Sequence, residues 1–381
     1  MVPSWTEIER ADGFQGLQAL VETTVRPDLE IVPQEALRES GAPESLAMPA
    51  MLAFGIFIAL FLSTFLWLPD TWWGTLLRFV CFFLFFLFSV GLVLYLKRKT
   101  IAQFIGRSER RLAARSNALR HICSHLGITY VGTPGGVPAP LAWIAHQGWA
   151  PQELRTLTDR MEQEGGMDAP VRVARDLGLM QGNVIVLGTA SQRAKYAEQA
   201  EATARVEDGF CGHRAGIRFD MFEWVEDVDE APDIHHLVIV LAAPFMLHGV
   251  THLRARKTGW LQAPAGVALR DVDLGPRAFD ALYKLRASDQ TEARALFNPA
   301  VIERVIALAH GGKFRAVASG SHLVFDFAGD NRFNLLDLHT GVWSDDTIRG
   351  AVSDIAEALA LVDALAHAFM LRKQAPDGSR S

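Results

Sequence analysis

The chain has 381 residues, 50% of them hydrophobic and 21% charged, with a formal net charge of -6. That balance argues against nucleic-acid binding, and the length beyond its apolar segments suffices for one sizeable core or two small ones. Cys81, Cys123 and Cys211 form neither a CxxC pair nor a disulfide framework, which fits a reducing compartment for the large domain.

Residues 1–45 form an acidic segment; up to residue 47 the chain carries nine acidic and three basic side chains. This is the wrong character for a signal peptide, whose charged start leads directly into an apolar run. Two uncharged apolar runs follow, at 46–68 and 79–96. A bilayer core needs about 20 apolar residues per helical span, so the two predict a transmembrane hairpin. In span one, Gly55, Ala59 and Ser63 recur every four residues, a stripe of small side chains that lets another helix approach closely. Either the second span or another copy of the chain would fill it.

Residues 97–130 read as a basic juxtamembrane helix. Lys97, Arg98, Lys99, Arg107, Arg110, Arg111, Arg115 and Arg120 face a single acid, Glu109. Positive charge collects on the cytoplasmic side of a span, so both termini are expected in the cytoplasm and Pro69–Gly74 outside. The same cations suit anionic lipid headgroups; enforcement of topology alone explains them as well. The partners expected are therefore the bilayer, its headgroups and a protein not identifiable from sequence.

The run from Thr133 to Pro140 is rich in Pro and Gly and breaks the chain. Residues 141–373 read as a cytoplasmic α+β domain, and 374–381 as a flexible tail. Short helices are expected at 150–163 and 170–178, a strand at 183–187 and a polar helix over 190–205. Further strands are expected at 236–243, 247–254, 267–274, 314–318, 322–327 and 333–338. The alternation of Leu323, Phe325 and Phe327 is the cleanest strand pattern. Short turns between the last strands predict an antiparallel sheet. Asp289 and Asn298, the latter followed by Pro299, are expected helix N-caps. A final helix from about Ser344 to Lys373 carries Ile348, Val352, Ile355, Leu359, Val362, Ala366 and Phe369 in a 4,3,4,3 rhythm. Packing on its own sheet is favoured over a coiled coil. The fold class expected is α+β, with helices covering an antiparallel sheet.

Chemistry is sparsely signalled. Glu207, Cys211 and His213 bring a carboxylate, a thiol and an imidazole together as a candidate catalytic set. His248 and His252, four apart, could hold one metal from a helix face, but on a strand they lie about 13 Å apart, and no HExxH pattern accompanies them; no metal site is assigned. The acidic run Glu223–Glu230 reads as a solvated loop. No cofactor motif is present in the sequence.

Three stretches together support a resemblance: Val206–Gly209 with Gly216–Glu223; Phe279–Lys284 leading into Ala287–Arg294; and Asn298–Arg304 with the strand Ser321–Phe327. Preceded by two spans, they resemble an uncharacterised bacterial membrane family, the domain of unknown function 3137. The resemblance implies an inner-membrane protein and transfers no active site. The functional expectation is a membrane-anchored, non-enzymatic scaffold or partner-binding protein. The alternatives are a tethered hydrolase using the Glu207–Arg214 region, or an accessory subunit of a transport complex.

Overall fold

The computed structural model describes residues 2–11, 13–31, 57–58, 71–132, 137–146, 155, 158–159, 161, 180–181, 184–185, 204–226, 234–256, 267–274, 277–310, 313–337 and 341–374; along residues 86–109 it describes the backbone alone. The chain divides into two compact units. One comprises Met1–Glu30, Ala114–Leu336 and Trp343–Ser381, and the other Ile31–Ala113 and Asp337–Val342.

The helices are α1 (Trp5–Ile8), α2 (Leu17–Leu20), a π-turn at Val21–Val25, α3 (Arg26–Glu30), α4 (Trp72–His125), α5 (Ala139–Ala145), α6 (Arg277–Leu282), α7 (Gln290–Leu296), α8 (Pro299–Ala309) and α9 (Asp345–Gln374). The strands are β1 (Thr129–Gly132), β2 (Met180–Gln181), β3 (Val184–Ile185), β4 (Ala204–Arg214), β5 (Ile217–Glu226), β6 (Ile234–Ala242), β7 (Thr251–Ala255), β8 (Arg270–Val272), β9 (Tyr283–Ala287), β10 (Phe314–Ser319) and β11 (His322–Gly329). Nine of these strands form one antiparallel sheet in the order β1-β4-β5-β6-β11-β10-β7-β9-β8, and β2 pairs with β3 separately. The α+β class and the antiparallel sheet stand as expected.

The helix α4 has 54 residues, about 80 Å at the usual rise. Among the described residues no helix is long and apolar enough to cross a membrane. The expected first span, 46–68, lies outside the described residues except for Phe57 and Ile58. The side chains of the second span lie outside them beyond Phe85, as do those of Lys97, Arg98, Lys99 and Arg107. Gly55, Ala59 and Ser63 lie outside them too, and so does most of the region expected to be helical at 150–163, 170–178 and 190–205.

Because side chains alternate along a strand, the sheet has two distinct faces. One is rich in phenylalanine. Phe219, Leu241, Leu323 and Ala318 line up across four strands, as do Met221, Ile239, Phe325 and Ala316, then Glu223, Leu237, Phe327 and Phe314. Phe297, at the end of α7, meets Phe325, and Tyr283 meets Phe314 edge-on. The expected stripe of α9, from Ile348 through Val352, Ile355, Leu359, Val362 and Ala366 to Phe369, is buried within the chain. The coiled-coil alternative is thereby not needed. The second face carries Val206, Phe222, Trp224, Val238, Val240, Val317 and Val324, packed with Leu141 of α5 and Met161.

Local signals work where they were read. The Asp289 side chain accepts from the Thr291 and Glu292 amides, and Asn298 caps α8 in the same way. Glu292, however, does not fold back to complete a capping box. It accepts from the His248 and Gly249 amides and pairs with Arg372 of α9, tying the loop before β7 to two helices. That loop displaces the expected strand start from residue 247 to Thr251, and β8 is shorter than the predicted 267–274. The expected helix 97–130 ends at His125, since Gly127 takes φ 69° and β1 begins at Thr129. Residues 333–336 form no strand; Phe333, Leu335 and Leu336 are buried as apolar plugs instead.

At Gly249 an added Cβ would lie 2.7 Å from Ser288 Oγ and 2.9 Å from Asp289 Cβ. Gly249→Ala is expected to destabilise the full chain by about 1–3 kcal/mol in urea unfolding, because the crowding atoms belong to a helix cap that cannot yield freely.

Candidate functional site

The first polar site begins with an irregularity in β4. Glu207 pairs with Glu223, and Phe210 with Met221. Two residues of β4 thus oppose one of β5, the pattern of a β-bulge. Asp208 sits in it with φ 33°, a left-handed conformation that Asp tolerates better than most residues. The bulge puts Glu207 and Phe210, three apart, on one face. It also aims Asp208 at Arg115 near the C-terminal end of α4 and at Tyr130 of β1, whose hydroxyl donates at 2.7 Å.

Arg115 and Asp208 are both buried. Burial opposes the Arg115 charge, but Asp208 and the neighbouring carboxylates outweigh it and strengthen the guanidinium's hold on its proton. Burial raises the Asp208 carboxyl, with Glu207 adding to the rise and Arg115 opposing it. The two partners pull in different senses. A guanidinium does not surrender its proton, so the pair stays ionic. Arg115 was expected at a headgroup surface; it lies instead at the helix–sheet junction, where the buried Asp208 carboxylate answers it. Arg111 is buried as well, and Arg110 is exposed.

Glu223 is fully buried where the alternation of β5 calls for an apolar side chain. Its Oε1 accepts from the Arg332 amide at 2.8 Å, while its Oε2 is buried without a hydrogen-bond partner. Burial, then the like charge of Asp208, push its carboxyl up to about 8. Arg332 continues outward: its guanidinium donates to the Leu308 carbonyl at 2.7 Å and lies 3.7 Å from Asp354. Glu207, Glu223 and His235 each offer a ligand atom, all within 4.8 Å of one another. His310, Asp354 and Glu357 form a second, more exposed group of the same kind. The acidic run expected as a loop therefore begins inside a strand, and Glu223 was missed. The signal for it was a carboxylate continuing the Ile217, Phe219, Met221 alternation.

On the opposite face, His236 Nδ1 lies 2.8 Å from Asp326 Oδ1, and Arg315 Nε donates to Asp326 Oδ2 at 2.7 Å. Trp224 covers the imidazole at 4.4 Å between ring centroids.

The proposed catalytic set is divided by the sheet. The pairings Cys211–Asp220 and His213–Arg218 put the thiol and imidazole on the second face, away from Glu207 on the first. Burial, and then the charge of Asp220, raise the Cys211 thiol, the opposite of what an activated nucleophile requires. His248 and His252 are likewise separated: His248 stands in the loop against Arg372, and His252 is buried within β7.

No known family model matches the chain, and no curated protein matches it. Among solved structures, the crystal structure of the mycobacterial trehalose monomycolate transport factor A, TtfA, is similar over 43% of this chain and 77% of that chain, with 14% identity and a TM-score of 0.23. A likeness of that size carries no argument about fold or function.

Burial works to raise the Asp326 carboxyl, but His236 and Arg315 overcome it and hold the group at about 2, below its ordinary 3.8. A carboxylate depressed on folding stabilises the fold above its unfolded value, and that contribution fades as pH falls toward the folded value. Asp326→Asn should therefore cost about 2 kcal/mol or more near pH 7. In urea midpoints measured against pH, the gap from wild type should narrow between about pH 4 and pH 2.

Proposed function

We propose that this chain is a membrane-anchored bacterial protein whose α+β domain works as a scaffold or partner-binding module at the cytoplasmic face of the inner membrane. The hairpin 46–96 is its anchor, with both termini in the cytoplasm, and the likeness to the domain of unknown function 3137 belongs to the same reading. The observation that carries it is the start of α4. Trp72, Trp73, Leu76, Leu77, Phe79, Val80, Phe82, Phe83 and Leu84 are all exposed, Trp72 at 67% and Phe79 at 71%. Large apolar side chains exposed this densely do not persist in water; Arg78 is the one charge among them, and from Phe79 the sequence stays uncharged up to Leu96. Trp72 and Trp73 stand at the end of the run where an interfacial aromatic belt belongs. The hydrolase alternative is not adopted, since the thiol it needs is raised and its carboxylate lies across the sheet.

Alkaline carbonate extraction of native membranes, combined with reporter fusions, tests the anchor and its orientation. The chain should remain in the membrane pellet. A fusion after Asp70 should report the outer face and a fusion after Lys99 the cytoplasm. Release by carbonate, or outer-face activity after Lys99, would overturn the proposal.

A further inference from the structure

We propose that Glu207, Glu223 and His235 bind one divalent transition-metal ion at the end of the sheet formed by β4, β5 and β6. This goes beyond the membrane-anchor reading and does not depend on it. Glu207 and Glu223 are directly paired across β4 and β5. Residues paired across two strands bring their side chains within reach of one ligand. His235 opposes Val225, two residues along β5 from Glu223, which puts its ring on the same face and next to both carboxylates.

The unpartnered Glu223 Oε2, buried on the floor of the group, is the second and independent observation. A buried acceptor without a partner costs about 1–3 kcal/mol, and more when charged; coordination removes that cost. Glu207 and His235 are half-buried, so the floor is protein and the rim is open to a water or to a ligand from a partner.

The donor set selects the metal class. Two carboxylates and an imidazole suit zinc, manganese or ferrous iron; calcium and magnesium prefer oxygen alone. Metal–ligand bonds of about 2.0–2.2 Å set ligand atoms about 3.4 Å apart in a tetrahedral site. The present spread, within 4.8 Å, closes by small rotations of the two rim side chains. Asp208 stays outside the site because Arg115 and Tyr130 hold both its oxygens.

The test is cobalt(II) titration of the untagged full chain in detergent after chelator treatment, followed by visible absorption and by bound-metal analysis. Wild type should bind one equivalent at this site, with the d–d absorption of an ion held by nitrogen and oxygen. Glu223→Gln and His235→Gln should each weaken that binding by more than about tenfold. His310→Ala, in the other cluster, should leave it unchanged. Metal-free Glu223→Gln should unfold close to metal-free wild type, since the amide oxygen can still accept from the Arg332 backbone. If Glu223→Gln nevertheless fails to fold, His235→Gln at the open rim decides alone. Absence of bound cobalt in wild type, unchanged affinity in the Glu223 and His235 variants, or loss of the ion in His310→Ala would each overturn the assignment.

Discussion

Arg115 is the constraint around which the sheet-bearing unit is arranged. A guanidinium removed from water costs several kcal/mol unless a carboxylate meets it in good geometry. The chain supplies that carboxylate by distorting β4: the bulge at Asp208 breaks the register and points a side chain at α4 that a regular strand would point elsewhere. Tyr130 closes the arrangement from β1, the edge strand that follows α4 directly. The end of the helix, the edge of the sheet and the bulge are therefore fixed by one buried ion pair. The same bulge holds Glu207 opposite Glu223, so the pairing of these two acids is a consequence of the same device.

Polar groups are set into both faces of the sheet, with different chemistry. On the phenylalanine-rich face, Glu223 accepts from the Arg332 backbone amide, and its carboxyl rises. On the other face, Asp326 accepts from an imidazole and a guanidinium, and its carboxyl falls. Two carboxylates buried in one sheet thus differ by several pH units. In the His236–Asp326–Arg315 set both oxygens of the carboxylate are met, and the set reads as structural. The buried carboxylate with an unmet oxygen, Glu223, is the one that can take a ligand.

Sequence patterns revealed the elements whose signals are local. The caps at Asp289 and Asn298, the β10–β11 hairpin and the stripe of α9 all follow from residue spacing, and each is present. The β4–β5 hairpin was illegible because its turn is Ala215-Gly216, with φ 46° and 79°. Asn-Gly or Asp-Gly would have announced such a turn, whereas Ala rarely adopts positive φ. Residues 333–336 mimic a strand because their apolar side chains plug the core from irregular backbone. The candidate site was half visible. Glu207 was singled out with the wrong companions, since the bulge that separates it from Cys211 depends on pairing with β5. Glu223 was hidden because an acid in an acidic run looks solvated until its strand partner is known.

A double-mutant cycle between Arg115 and Asp208 tests this account most directly. Arg115→Met, Asp208→Asn and the double variant of the full chain would be compared by urea unfolding. Each single change leaves one buried charge unanswered, so each should cost about 3–5 kcal/mol, and the double variant should cost no more than either single one. Additive losses, or single changes that cost less than about 1 kcal/mol, would contradict the claim that this pair fixes the helix to the sheet.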